Sequence, residues 1–333
     1  MRSKSALFYD YPTIDGDVFG QGRRERIAEI SDLYPHVITA ANFDEHASHL
    51  SEVEVIFGSW GIPRFTQAHF ARLPKLKAVF YAAGNVRAFA DPLIKHGILL
   101  IGAWEINAIA TAEMCLAQIL LALRGYFRTV RLYAEHHDRE VRRSFARTGI
   151  NGETIGLIGL GKIGTRLRQL LAGYPLKVIA HDPFLTSERA TELDVESVSL
   201  DDVFCRAMVV SNHIPDLPTT RQVLTARHFD SLRDGATFIN SGRGAQVVEE
   251  DLICTLRARP DLTALLEVTD PEPPADDSPL WNLPNVIISP HIGGTIGDEV
   301  VRLADCVIEE YEAWTAGRPL RHEITAAILE TMG

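Results

Sequence analysis

Cysteine is scarce: the 333-residue chain has four, Cys115, Cys205, Cys254 and Cys306, tens of residues apart and without a C-x-x-C pair. That spacing excludes a disulfide-stapled scaffold and a cysteine-based zinc site, and predicts four reduced thiols in the core of a cytoplasmic protein. Positive charge is also in deficit, with a formal net charge of −11. A nucleic-acid partner calls for a basic face, and an anionic membrane surface repels an acidic one, so neither partner is expected. Long apolar runs are missing too. The N-terminal stretch MRSKSALFYDYP has too short an apolar segment for a signal peptide. The most apolar helical stretch, AEMCLAQILLAL at 112–123, carries Glu113 and Gln118. It reads as a buried helix too short to span a bilayer. Internal repeats and a Gly/Ser linker are absent. The HHD stretch at 136–138 reads as an exposed polar surface rather than a metal site, because adjacent helix positions do not share a face.

What is present is a globular composition, 46% hydrophobic and 23% charged, over a length suited to about two domains. Short apolar runs at 5–10, 54–58, 76–82 and 97–102 read as strands, separated by segments with charges at helical spacing. A helical pattern then runs from about 107 to 134 with no proline to interrupt it. After it the strand signal restarts at 154–159, 177–182, 208–215, 236–242, 262–268 and 285–291. Near-continuous apolar strands alternating with helices predict parallel sheets covered on both faces. Two such series predict two α/β domains of doubly wound parallel sheet. From Thr295 the chain reads as one long helix and a short tail.

GLGKIG at 159–164 fits G-x-G-x-x-G, a weak signal by itself. Here it follows the apolar strand TIGLIG, opens a helix, and precedes a second strand, KVIAHD, that ends in Asp182. That is the context of a dinucleotide site. Gly159 permits the turn, Gly161 lets the backbone approach a pyrophosphate, and Gly164 lets the helix pack on the strand. The amides near Lys162 and Ile163 then face the phosphates at the positive end of the helix dipole. Asp182 accepts from the ribose hydroxyls and repels a 2′-phosphate, and Pro183 and Phe184 bring no basic residue to rescue it. The predicted cofactor is NAD, with no metal.

Three later strand ends carry polar residues: Arg243 in INSGRGAQV, Glu272 in LLEVTDPEPP and His291 in IISPHIGG. Strands of a doubly wound sheet deliver their C-terminal ends to the cofactor crevice. Arginine grips a carboxylate with two prongs, and histidine exchanges a proton with a carbonyl or alcohol oxygen. A carboxylate beside the histidine fixes its ring and tunes its charge. Together with a nicotinamide site these residues predict hydride transfer to or from a small 2-keto or 2-hydroxy acid.

Those motifs, with SNHIPDLPTTR at 211–221, resemble the D-isomer-specific 2-hydroxyacid dehydrogenases, a family that includes phosphoglycerate, glyoxylate/hydroxypyruvate and D-lactate dehydrogenases. The resemblance covers essentially the whole chain. It implies a Rossmann-like NAD domain at 104–294, set within a discontinuous, flavodoxin-like substrate domain formed by 1–103 and a returning C-terminal helix from 295 to 333. The crevice between the domains is the expected active site, and the expected assembly is a homodimer with the long helix after 107 in its interface. The resemblance places the catalytic arginine, glutamate and histidine on Arg243, Glu272 and His291. Arg243 binds the substrate carboxylate and carbonyl, and Glu272 tunes the acid/base His291. Nicotinamide-side contacts fall on Gly242 and Glu267, adenosine-side contacts near Ile214 and Pro215, and the substrate-carboxylate loop on Gly84, Asn85 and Val86.

Some positions depart from the family pattern. Glu267 stands where aspartate is usual, so its contact to the carboxamide needs a longer arm. Asn85 replaces a usual glycine, as the next best residue for positive φ. Arg87 replaces a usual aspartate and reads as a surface charge or as a handle for a second acidic group. Trp60 and Tyr81 either line the pocket or pack the first domain. Two other functions share this frame. Formate dehydrogenases pair the histidine with glutamine, which Glu272 contradicts, whereas NAD-binding corepressors of the family keep the same three residues.

Overall fold

The computed structural model describes residues 2–10, 17–145 and 149–332. The chain divides into two compact units, Met1–Ala108 with Thr295–Gly333, and Ile109–Gly294. Each is an α/β unit built on a parallel sheet.

The first unit contains strands β1 (Lys4–Phe8), β2 (Asp32–Ile38), β3 (Val55–Gly58), β4 (Ala78–Tyr81) and β5 (Leu99–Gly102), ordered β2-β1-β3-β4-β5. This is the flavodoxin-like order. Side chains alternate across the sheet, so each strand feeds two cores. Ala6, Phe8, Ile56, Val79 and Tyr81 pack on one face, and Leu7, Val55, Phe57, Ala78 and Phe80 on the other. The second face is covered by the helix Val301–Thr315, whose Tyr311 meets Phe57 and Phe80 edge-on. The C-terminal tail protects the open edge of β5. There Ile324 N–H donates to Leu100 O at 2.8 Å, and Gly102 N–H donates to His322 O at 3.1 Å. Buried Glu310 anchors that tail by accepting from the backbone N–H groups of Arg321 and His322.

The expected long C-terminal helix is a 3₁₀ turn at Gly297–Val300 running directly into the helix Val301–Thr315, and the expected tail carries a second short helix, Ala326–Thr331. Gly317, at φ 64°, follows the end of the long helix. Strand β2 escaped the sequence reading because Pro35 interrupts it. A proline is admissible there since β2 lies at the sheet's edge, where the register against β1 slips between Ser5 and Leu7.

The second unit contains β6 (Thr154–Ile158), β7 (Lys177–His181), β8 (Glu196–Ser197), β9 (Val209–Asn212), β10 (Thr237–Asn240), β11 (Thr263–Leu266) and β12 (Val286–Ile288). Their order, β12-β11-β10-β9-β6-β7-β8, is the Rossmann sequence of strands with one strand added. The chain switches direction at β6, flanked by β7 and β9. The core joins Ile155 and Leu157 to an aromatic cluster of Phe204, Phe229 and Phe238. A Cβ at Gly156 would stand 2.6 Å from Val203 Cγ1, so glycine admits the helix Leu200–Arg206 against the strand. The two-residue strand β8 is exposed and too short to leave an apolar signature.

The continuous helix expected over 107–134 is two helices, Trp104–Leu123 and Tyr126–His136, broken at Gly125 with φ 65°. The first has 20 residues, long and apolar enough to cross a membrane by length and composition. It does not behave as an isolated span, because Ala112, Cys115, Ile119, Ala122 and Leu123 are buried in the core. The cysteines also correct the reading: all four are free, but Cys205 and Cys254 are exposed rather than in the core. Among the described residues no three His, Cys, Asp or Glu side chains stand together as metal ligands.

Candidate active site

Strand β6 ends in a turn that needs its glycines for three different reasons. Gly159 has φ 86°, and a Cβ there would meet the backbone of His213 at 3.1 Å. A Cβ on Gly164 would lie 2.1 Å from Gly159 O, so only glycine lets the helix Lys162–Leu171 start this close to the strand. Gly161 is the N-cap of that helix; it brings no side chain to the first turn, and a Cβ there would meet no atom within 4 Å. The space beside a bare helix N-terminus suits an anion. Lys162 and Ile163 open the helix at this point.

Asp182 follows β7 and leans over the same turn. One oxygen accepts Leu160 N–H at 2.7 Å and the other accepts Phe184 N–H at 2.8 Å. A carboxylate has about four lone-pair sites, so each oxygen keeps acceptor capacity for a hydroxyl. A bare helix terminus for phosphates and a fixed carboxylate for a diol fit an adenosine-diphosphate half.

The ends of β9 and β10 are joined by three amide side chains. Asn212 Nδ2 donates to Asn240 Oδ1 at 2.9 Å and to Gln246 Oε1 at 2.6 Å. Gln246 Nε2 donates to Ile214 O at 2.5 Å, and its Oε1 accepts Arg243 N–H at 3.0 Å. Asn240 takes Gly242 N–H on its oxygen and gives its own N–H to Arg243 O. The backbone at Ile214, Gly242 and Arg243 is therefore held from several directions, with Pro215 O accepting the Thr220 hydroxyl beyond it. The sequence reading missed this amide cluster. Its signal was present as polar residues closing the apolar strands VVSN and TFIN.

Arg243 places Nη1 2.6 Å from Gly242 O. Burial pulls its guanidinium below the ordinary arginine value, while the charges of Glu272 and Asp216 act in the opposite direction. It stays protonated at any working pH. Gly244 brings the two segments together: a Cβ there would collide with Thr269 C at 1.9 Å, so glycine alone lets this backbone lie on 269–270. Glu272 sits just beyond, between Pro271 and Pro273. Its Oε1 is 2.6 Å from His291 Nδ1, with both side chains about half exposed. A carboxylate only accepts, so Nδ1 carries the hydrogen and Nε2 is left for another partner. His291 holds φ 56°, a left-handed conformation that histidine adopts more readily than most residues. Arg243, Glu272 and His291 follow β10, β11 and β12, which are parallel neighbours, so all three lie past the same sheet edge.

Glu267, directly after β11, is 3% exposed. Its Oε1 accepts from Gln118 Nε2 at 3.3 Å and from the Ser289 hydroxyl, while its Oε2 has no partner. Nearby His213 is buried with Nδ1 2.8 Å from Ser241 Oγ and Nε2 unpartnered. Desolvation pushes its pKa down to about 3.

In the first unit, Gly84 lies against Asn107, and Val86 belongs to the core. Asn85 does not take the positive φ expected of it; its Oδ1 accepts Arg87 N–H at 2.9 Å, a local turn that needs no left-handed residue. Arg87 donates to Met332 O and Leu329 O, closing the end of the helix Ala326–Thr331. Two of its guanidinium N–H groups thereby serve as a structural cap. Tyr81 packs on Phe89 within the core, where burial raises its phenol pKa, and Trp60 packs against the same core.

A glycine turn at the topological switch, a carboxylate above it and polar strand ends beyond define a dinucleotide-binding doubly wound domain. The chain belongs to the D-isomer specific 2-hydroxyacid dehydrogenase family, whose NAD binding domain matches residues 116–293. Among its relatives is a D-3-phosphoglycerate dehydrogenase from Mycobacterium bovis, 33% identical over 248 residues, which are 74% of this chain and 46% of that protein. The chain thus spans just under half the length of that relative. Solved structures share the fold. A phosphoglycerate oxidoreductase from Rhizobium etli superposes with TM-score 0.80 at 23% identity, covering 98% of each chain. An NAD-complexed D-isomer specific 2-hydroxyacid dehydrogenase from Lactobacillus delbrueckii ssp. bulgaricus gives 0.77 at 21% identity, covering 97% of this chain and 100% of that one.

Proposed function

We propose that the chain is an NAD-dependent 2-keto acid reductase, working reversibly on a D-2-hydroxy acid. The observation that carries this reading is the 2.6 Å hydrogen bond between Glu272 and His291, with Arg243 close enough for its charge to feel Glu272. When bound, the nicotinamide supplies or accepts a hydride at C4. His291, held through Nδ1, gives a proton from Nε2 to the substrate oxygen in reduction and takes it back in oxidation. Glu272 holds the ring and stabilises the charged imidazolium. Arg243 grips the substrate carboxylate and polarises the carbonyl. Gly159, Gly161, Lys162, Ile163 and Gly164 take the pyrophosphate, and Asp182 takes the ribose. Ile214 and Pro215 border the adenosine side, and Gly242 and Glu267 the nicotinamide side.

In this reading residues 104–294 form the cofactor domain, and 1–103 with 295–333 the substrate domain. The expected partner is a second copy of the chain. Tyr126, Val130 and Tyr133, spaced i, i+4 and i+7 on one helix, are 49%, 49% and 54% exposed, an apolar stripe that a second copy would cover. Oxidation of NADH followed with a panel of 2-keto acids tests the reading. Turnover of at least one acid, cut roughly 10²–10⁴-fold in His291→Ala, is expected. Tight NADH binding with no turnover of any acid would favour a cofactor-dependent interaction protein instead.

A further inference from the structure

Glu267 is a buried carboxylate with an unequal environment. Oε1 is held twice, by Gln118 from the helix Trp104–Leu123 and by the Ser289 hydroxyl past β12, whereas Oε2 is equally removed from water and accepts nothing. Leaving one oxygen of a buried acid unpaired is costly unless a donor arrives. Gly293 passes close to this oxygen: a Cβ there would stand 3.2 Å from Oε2. Glycine at 293 therefore puts no side chain against Oε2, which stays buried and without a donor. Neither Gln118 nor Ser289 is a cation, so the carboxylate keeps its full acceptor strength for an incoming N–H. Gln118 is itself 8% exposed on an otherwise apolar helix face, among Cys115, Ile119 and Ala122.

We propose that Gln118, together with Ser289, is a positioning residue that fixes Glu267 Oε1 so that Oε2 receives the amide N–H of the cofactor's carboxamide. This rests on the reading of Glu267 as the nicotinamide-side contact. A glutamate arm has one more rotatable bond than an aspartate arm, and the two donors remove that freedom before the ligand binds. The chain thereby selects for a carboxamide over any group that lacks an N–H.

The test compares dissociation constants for NADH, for its 3-acetylpyridine analogue, in which a methyl replaces the amide nitrogen, and for ADP-ribose, which lacks the ring altogether. The parent protein is expected to prefer NADH over the analogue by about tenfold or more, the scale of one hydrogen bond to a charged group. Gln118→Leu and Ser289→Ala should each narrow that preference to about threefold or less, Ser289→Thr should retain it, and ADP-ribose affinity should hold in all of them. Full preference retained in both Gln118→Leu and Ser289→Ala would overturn the assignment. A parent that binds ADP-ribose yet treats NADH and its analogue alike would overturn the role of Glu267 and the proposal with it. A parent that binds none of the three would overturn the cofactor reading itself.

Discussion

Replacing Glu272 by glutamine isolates charge from shape at the candidate acid/base pair. The glutamine oxygen can still accept from His291 Nδ1 across the 2.6 Å now seen, so the ring keeps its direction and Nε2 stays presented. What is lost is the negative charge facing the imidazolium. A hydrogen bond to a charged group contributes about 1.5–3 kcal/mol. The two side chains are 48% and 38% exposed, so solvent screens part of that contribution. About 1–2 kcal/mol remains, which corresponds to a roughly 5–30-fold fall in kcat. Steady-state turnover at saturating NADH and keto acid measures it, with NADH affinity followed by fluorescence as a control that should not move. Glu272→Leu, which removes the acceptor as well, should fall further, towards the roughly 10²–10⁴-fold loss expected of His291→Ala. A Glu272→Gln enzyme as fast as the parent would show that no charge at 272 assists His291. One as slow as His291→Ala would show that the carboxylate has a larger task than holding and balancing the ring.

The glycine turn separates structure from binding at two positions only three residues apart. Gly164→Ala pushes a methyl against Gly159 O and should destabilise the domain by about 1–3 kcal/mol, lowering Tm by several degrees. Gly161→Ala meets no protein atom, so Tm should hold while NADH affinity drops about tenfold or more; unchanged affinity would remove the pyrophosphate from this turn. Asp182→Ala should narrow the preference for NADH over NADPH, and tighter NADPH binding to the parent would contradict the ribose assignment. His213, with a pKa near 3 when folded against an ordinary value near 6.5, makes stability pH-dependent. Below 6.5 the unfolded chain binds a proton that the folded chain refuses, so stability is intact above pH 6.5 and is lost as pH falls towards 3. The slope is at most about 1.4 kcal/mol per pH unit. Denaturant unfolding of His213→Gln at pH 7 and pH 5 should show a smaller difference than the parent.

Much of this architecture was legible because it rests on local chemistry. A parallel strand buried on both faces must be largely apolar, as AVFY and TIGLI are, and a tight strand-to-helix turn must be glycine where φ is positive or a backbone passes close. The same logic explains what was hidden. β2 is an edge strand interrupted by Pro35, and its membership is decided by β1 rather than by its own residues. The break at Gly125 was hidden because the pattern over 107–134 contains no proline and a lone glycine within a helix costs only about 1 kcal/mol against alanine; whether the helix runs through it is settled by what the next turn packs against. Arg87 shows the limit most sharply. Beside a loop expected to hold a carboxylate, it read as a surface charge or a handle for a second acid, and neither reading foresaw the two carbonyls, more than 240 residues away in the chain, that it caps. Gln118 is the converse. On its helix it looked like a polar residue that had merely strayed into an apolar run. Only the strand ends that bring Glu267 and Ser289 to it turn that stray amide into the donor that fixes an acid. Motifs name the residues that touch a ligand, because the ligand's chemistry dictates them. The residues that hold those residues answer only to the fold, and have to be read from it.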